Sequence, residues 1–341
     1  VSGIHIPLIV SLLLMKLRAV ISILILLLTF TKESSAQLES SIWYFGPKCH
    51  SLRFSPNGSI TVLPNGLSPF GAEGCSVLSD PKTGIFKFYT DGMMVIDVDH
   101  KVMPNGAGLI GLSSSWGSGK IAADPLNCNR YYVFHNDGAY EGGGQNKFYY
   151  SVVDLSLPGN GTSANPKGDV LASSKNVFIG SNAAEGIEVI SVANSHDFWL
   201  LTTSNSPSSV SVYKFTASGI TFIKTYSFQP SLGDVRAIRF CEVNNKLAVA
   251  SCNDFDPVLT MGFDRSTGVI SNQTTVPGIP AGVYGNYHGV YDVCWSPNGT
   301  KLYISKYRQG DTGGKLYQHD FLTSSTTLIY DVHPSSRNFA G

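Results

Sequence analysis

Charge is scarce in this sequence. Asp, Glu, Lys and Arg make up 14% of the residues and the formal net charge is zero, against roughly 25% charged residues in an average globular chain. No basic surface is available to neutralise phosphates, which excludes nucleic acid as a partner. Helical periodicity is also missing. Beyond the N-terminal leader, no segment keeps an apolar 3.6-residue period for three turns, which argues against a parallel α/β fold. Catalytic signatures are absent: there is no nucleophile elbow and no HExxH. Gly117-Ser-Gly-Lys120 lacks the Ser/Thr and the upstream Gly of a phosphate loop. The eight histidines show no metal-ligand spacing. The six cysteines (Cys49, Cys75, Cys128, Cys241, Cys252 and Cys294) contain no CxxC. No cofactor, metal, catalytic residue or specific disulfide is expected. In the hairpin around Asn244-Asn245, Cys241 is expected opposite Ala248 and Cys252 opposite Ala237.

What is plentiful is aromatic residues and turn formers: 18 Phe, 16 Tyr, 35 Gly and 17 Pro. That mixture fits many short strands joined by tight turns. The N-terminus reads differently. Met15-Lys-Leu-Arg18 is a short basic start, Ala19–Phe30 is apolar, and Ser34-Ser-Ala36 offers small residues before Gln37. This is the pattern of a secretory signal peptide over residues 15–36. Residues 1–14 then read as an upstream segment, and 37–341 as the mature chain, with no membrane span after cleavage.

An internal repeat sets the fold. Phe86-Lys-Phe-Tyr-Thr-Asp91, Tyr131-Tyr-Val-Phe-His-Asn136, Phe198-Trp-Leu-Leu-Thr-Thr203, Lys246-Leu-Ala-Val-Ala-Ser251 and Lys301-Leu-Tyr-Ile-Ser-Lys306 resemble one another. Each has a strand-like run before it and one or two after it. Pro81-Lys-Thr-Gly84, Asn244-Asn245 and Pro297-Asn-Gly-Thr300 are hairpin-forming turns. Four antiparallel strands repeated at this spacing predict an all-β β-propeller of four-stranded blades. Five blades are visible, and Ser335–Gly341 reads as the approach to a sixth, so the propeller is expected to be truncated at the C-terminus. Ser41–Phe45 and Leu52–Leu63 are expected to supply closing strands.

Glu73-Gly-Cys-Ser-Val-Leu-Ser-Asp80, Phe88-Tyr-Thr-Asp-Gly92, His100-Lys-Val-Met-Pro-Asn-Gly106 and Trp43-Tyr-Phe-Gly46 carry a resemblance. Together they resemble the N-terminal propeller of secreted, gliding-motility-associated (type IX secretion) surface proteins of Bacteroidetes. Ser113-Ser-Ser-Trp-Gly-Ser-Gly-Lys120 departs from that pattern. The resemblance implies a cell-surface location and a place in a larger chain, and it brings no catalytic residues.

Loop length carries the functional signal. Turns at one end of the blades are short, whereas Ser113–Gly119, His135–Asn146, Gly180–Gly186, Cys252–Pro257, Tyr284–Gly289 and Tyr307–Gly314 are longer and polar or aromatic. Variable loops on a rigid scaffold are where binding usually resides. The binding-face candidates are Trp116, His135, Tyr140, Glu141, Glu185, Asp254, Asp256, Tyr287, His288 and Arg308. The leading expectation is a secreted, non-enzymatic recognition or scaffold module whose partner is a protein or glycan at the cell surface. The alternative is a propeller hydrolase or lyase with a metal in the central channel. For that, Glu73, Glu185, Asp234 and His288 stand near the starts of first strands. Asp91-Gly92 reads as a tight strand-exit turn, and Asp97-Val-Asp-His100 as a polar strand end rather than a metal site.

Overall fold

The computed structural model describes residues 38, 41–45, 50–64, 73–112, 114–138, 145–280, 289–306 and 314–331. These form six antiparallel sheets in a propeller arrangement. The first sheet holds β1 (Ile42–Phe45), β2 (His50–Phe54) and β3 (Ile60–Leu63). The second holds β4 (Ser76–Ser79), β5 (Phe86–Thr90), β6 (Met94–Ile96) and β7 (Val102–Ala107). The third holds β8 (Lys120–Ala123), β9 (Arg130–Asn136), β10 (Lys147–Asp154), β11 (Asp169–Val170) and β12 (Val177–Ser181). The fourth holds β13 (Ile187–Ser191), β14 (Phe198–Asn205), β15 (Ser208–Thr216) and β16 (Gly219–Ser227). The fifth holds β17 (Val235–Cys241), β18 (Lys246–Ser251), β19 (Leu259–Phe263) and β20 (Ile270–Thr275). The sixth holds β21 (Val290–Trp295), β22 (Lys301–Lys306), β23 (Lys315–Asp320) and β24 (Ser325–Asp331).

The innermost strand of each sheet is its first. Successive inner strands touch from β1 through β4, β8, β13 and β17 to β21, the arrangement that sets the blades of a propeller around a central channel. Side chains alternate across each strand, and this alternation builds the core between blades. In β14, Trp199 and Leu201 pack with Ile238, Leu247 and Val249 of the fifth sheet. Phe198 and Leu200 point the other way, to Phe134 and Phe148 of the third.

The turns follow from their residues. Asp80 Oδ1 accepts from the backbone N–H groups of Lys82 (3.1 Å) and Thr83 (2.9 Å), and Gly84 has φ +66°. Asp91 Oδ1 likewise accepts from Met93 and Met94, both at 2.9 Å, and Gly92 has φ +80°. Asp97 Oδ1 accepts from Asp99 and Lys101, so the Asp97–His100 segment is a structural turn.

Two sequence expectations need correction. The sheets number six, not five with the start of another, because Ile42–Leu63 pairs with itself. Trp43 faces Leu52, and Ser51 faces Leu63, which makes a three-stranded sheet of its own. Ser335–Gly341 lies outside the described residues. The register around Asn245 is also displaced by two residues: Cys241 faces Lys246 and Ala237 faces Ala250. The turn there spans Glu242–Asn245, with Asn245 at φ +52°, so it is longer than a two-residue hairpin. Cys75, Cys128, Cys241, Cys252 and Cys294 are all free thiols. Among the described residues, no helix is long and apolar enough to cross a membrane. The signal-peptide segment and Cys49 lie outside them.

Candidate active site in the central channel

At the end of the channel that carries the longer connections, side chains from four blades meet. Glu185 stands just before β13, and Asp234 just before β17. Arg236 is on β17, and Tyr291 is on β21. The connection between β7 and β8 brings in Trp116. It turns inward because Gly74 and Gly117 leave no room for a side chain. A Cβ on Gly74 would lie 2.2 Å from the Ser115 carbonyl oxygen, and one on Gly117 would lie 1.9 Å from that of Glu185.

Glu185 is 6% exposed. Its Oε2 accepts from the Trp116 backbone N–H at 3.0 Å, and its Oε1 lies 3.9 Å from an Arg236 nitrogen. Burial pushes its carboxyl up to about 7, against the opposing pull of Arg236 and the Trp116 N–H. Arg236 Nε donates to Asp234 Oδ2 at 3.1 Å, and the guanidinium lies 5.6 Å from the centre of the Tyr291 ring. The Tyr291 hydroxyl is hydrogen-bonded to Glu73, and desolvation together with that bond raises its pKa. Trp116 meets Tyr291 edge-on at 5.2 Å. Cys252 is buried nearby, and burial pushes its thiol up to about 11, too high for a nucleophile at neutral pH. Further along the channel, Lys120 pairs with Glu188 at 3.6 Å and Arg239 with Asp292 at 3.1 Å, which ties β8 to β13 and β17 to β21.

Arg236 and Tyr291 occupy equivalent irregularities. In β17 the pairing passes from Val235–Ser251 to Ala237–Ala250, so Arg236 is an extra residue. In β21 it passes from Val290–Lys306 to Asp292–Ser305, which leaves Tyr291 extra. A bulge of this kind re-aims a side chain. Sequence reasoning missed both residues because strand alternation alone gives no sign of a bulge.

The sequence-predicted residues divide clearly. Trp116 and Glu185 are in the channel cluster. Asp256 and Asp254 lie on the adjoining connection after β18. Asp256 accepts from the Gly233 N–H and the Ser251 hydroxyl, and Asp254 lies near Cys252 and Lys306. Glu73, Glu185 and Asp234, the channel carboxylates expected for the alternative reading, come together. His135 does not join them. It was expected on an exposed loop, but it is fully buried, with Nδ1 2.9 Å from the Ile110 carbonyl and Nε2 3.1 Å from Ser151 Oγ. Tyr140, Glu141, Tyr287, His288 and Arg308 lie outside the described residues. Among the described residues, no group of three His, Cys, Asp or Glu side chains is placed to hold a metal ion.

The burial of His135 has a measurable consequence. Desolvation lowers its pKa from 6.5 to about 4. Between those values the unfolded chain binds the proton and the folded chain does not, so the contribution of His135 to stability falls as pH drops through the window, opposite in sign to that of Glu185. The span corresponds to about 3 kcal/mol. Between pH 6.5 and 4.5 the urea midpoint of His135→Gln should gain steadily on that of the wild type as pH falls. Equal slopes would show that His135 takes up its proton while folded.

No protein-family model and no curated protein matches the chain. Solved structures do match. A candidate 6-phosphogluconolactonase from Bacteroides fragilis aligns over 86% of this chain and 82% of its own, at 13% identity and a TM-score of 0.50. A candidate 6-phosphogluconolactonase from Bacteroides uniformis aligns over 84% and 79%, at 12% identity and 0.47. The periplasmic gluconolactonase of Pseudomonas aeruginosa aligns over 83% and 77%, at 12% and 0.46. At such identity the likeness shows the fold alone. The expectation of a non-enzymatic recognition module is corrected on the first of these structures, which is described as a candidate lactonase and not as a recognition module. The fold is shared with a protein named as a lactonase. The channel mouth also holds a buried carboxyl beside a guanidinium.

Proposed function

We propose that this chain is a hydrolase that opens cyclic esters at the loop-bearing mouth of its channel. The observation that carries this reading is the Glu185–Arg236 pair, a buried carboxyl titrating near neutrality beside a fixed cation. A general base works best with a pKa near the working pH. Ionised Glu185 takes a proton from water as the water oxygen bonds to the lactone carbonyl carbon. The carbonyl π electrons move onto its oxygen, where the Arg236 guanidinium stabilises the negative charge. When the carbonyl re-forms, the ring C–O bond breaks, and the proton held on Glu185 passes to the departing alkoxide. The products are a hydroxyl and a carboxylic acid on one molecule, and Glu185 is again ionised. The shared fold with a protein named as a lactonase supports this class of substrate. The leader over residues 15–36 supports export from the cytoplasm.

The test is direct. The full chain is assayed for acid release from five- and six-membered aliphatic and sugar lactones. Turnover is expected on at least one of them, with loss of about 10²-fold or more in Arg236→Met, comparable to removing an oxyanion donor. No turnover across the panel, or full turnover in the variant, would overturn the proposal.

A further inference from the structure

We propose that Asp256 is a positioning residue, which holds Arg236 against Glu185 through a brace of hydrogen bonds. The inference rests on the reading of Glu185 and Arg236 as the reacting pair. As the extra residue of a bulge, Arg236 has no partner across β18 to fix its direction. Its direction is set instead by Asp234, whose Oδ2 accepts from Arg236 Nε at 3.1 Å. Asp234 is itself held from the connection after β18. Its N–H donates to Ser251 Oγ at 3.1 Å, and its carbonyl accepts from the Cys252 N–H at 2.8 Å.

Asp256 completes the brace. One carboxylate oxygen, Oδ2, accepts from Ser251 Oγ at 2.6 Å and from the Gly233 N–H at 2.6 Å. Ser251 is 1% exposed and also accepts from the Asn253 N–H at 3.2 Å, so its hydroxyl has little freedom to turn elsewhere. The hydrogen bonds thus run from Asp256 to Ser251 and Gly233, on to Asp234, and from Asp234 to Arg236. Without the brace, Asp234 loosens and the guanidinium leaves its place 3.9 Å from Glu185. The charged and titratable groups that face Glu185 are Arg236, Asp234, Glu73, Tyr291 and Cys252. Arg236 is the cation among them, so its departure leaves Glu185 harder to ionise.

The experiment follows the Glu185 carboxyl by carbon NMR across pH in the full chain labelled at glutamate, with the signal assigned through Glu185→Gln. In Asp256→Ala the titration midpoint is expected to rise by about half a unit or more as the neighbouring cation withdraws. kcat on any lactone the wild type opens should fall about tenfold. Asp256→Asn should restore both, because the two donors meet a single oxygen that an amide carbonyl can replace. If Asp256→Ala does not fold, Ser251→Ala breaks the same brace and is read in the same way. An unchanged or lowered midpoint in the folded variant, or failure of Asp256→Asn to restore it, would overturn the proposal. The titration needs no substrate, so it decides the brace even if no lactone is opened.

Discussion

Glu185→Gln is expected to lower lactone turnover by about 10²- to 10⁴-fold, the usual contribution of a general acid–base group, while making the protein more stable at pH 8. The two effects have one cause. Burial raises the Glu185 carboxyl from 4.5 to about 7, so within that window the folded chain holds a proton that the unfolded chain releases. The contribution of Glu185 to stability therefore falls as pH rises from 4.5 to 7, by about 3 kcal/mol over the span. The amide that replaces the carboxyl carries no charge and escapes that loss. Its oxygen can still accept from the Trp116 N–H, and Arg236 keeps Asp234 as its partner. The thermal midpoint of the variant at pH 8 should lie several degrees above the wild type, with the gap closing towards pH 5. The wild-type rate should rise with pH to a plateau with a midpoint near 7. Undiminished turnover in the variant, or a thermal midpoint at pH 8 below the wild type, would remove Glu185 from the reaction.

The fold was legible wherever one strand type repeats. The five runs that resemble Tyr131–Asn136 are β5, β9, β14, β18 and β22, each flanked by the expected partners. Burial on both faces gives such strands nearly continuous apolar sequence, which is why they could be recognised. Ile42–Leu63 has no such run; Ile60 and Val62 are exposed at 60% and 74%, so its sheet looked like spare strands. At the site, Glu73, Glu185 and Asp234 were legible because each stands just before an inner strand, where a polar residue interrupts an apolar pattern. Trp116 was a binding-face candidate on the Ser113–Gly119 loop, and it lies in the channel cluster. Its true position depends on the close approaches at Gly74 and Gly117, which join segments distant in sequence. Arg236 and Tyr291 stayed hidden because a bulge reverses which face a residue takes, and nothing in the local composition marks it.

Trp199→Ala is expected to destabilise the chain by about 3–5 kcal/mol, the usual range for a large buried aromatic. Trp199 belongs to the fourth sheet, yet its ring packs against the fifth. It is 2% exposed and lies edge-on to Phe263 at 6.2 Å. Its indole N–H donates to the Arg265 carbonyl at 2.8 Å, across the gap between blades. Gly268, at φ +74°, lets the β19–β20 turn lie against the ring; a Cβ there would come within 2.8 Å of it. Truncation therefore opens a cavity at the blade junction and leaves the Arg265 carbonyl with only the Ala193 N–H, at 3.2 Å, as its donor. Trp199→Phe refills most of the volume but cannot supply the N–H, so it should recover more than half of the loss and leave a deficit of about 1 kcal/mol for the missing hydrogen bond. The comparison is made by urea unfolding of the three proteins at pH 7. The order expected is wild type, then the Phe variant, then the Ala variant, with one cooperative transition in the wild type. Because the cavity lies between blades, Trp199→Ala should also separate the transition into two steps if the sheets on either side of the junction unfold on their own. An Ala variant that melts with the wild type would place Trp199 outside the junction and break the assignment of β14 to the interface between the fourth and fifth sheets.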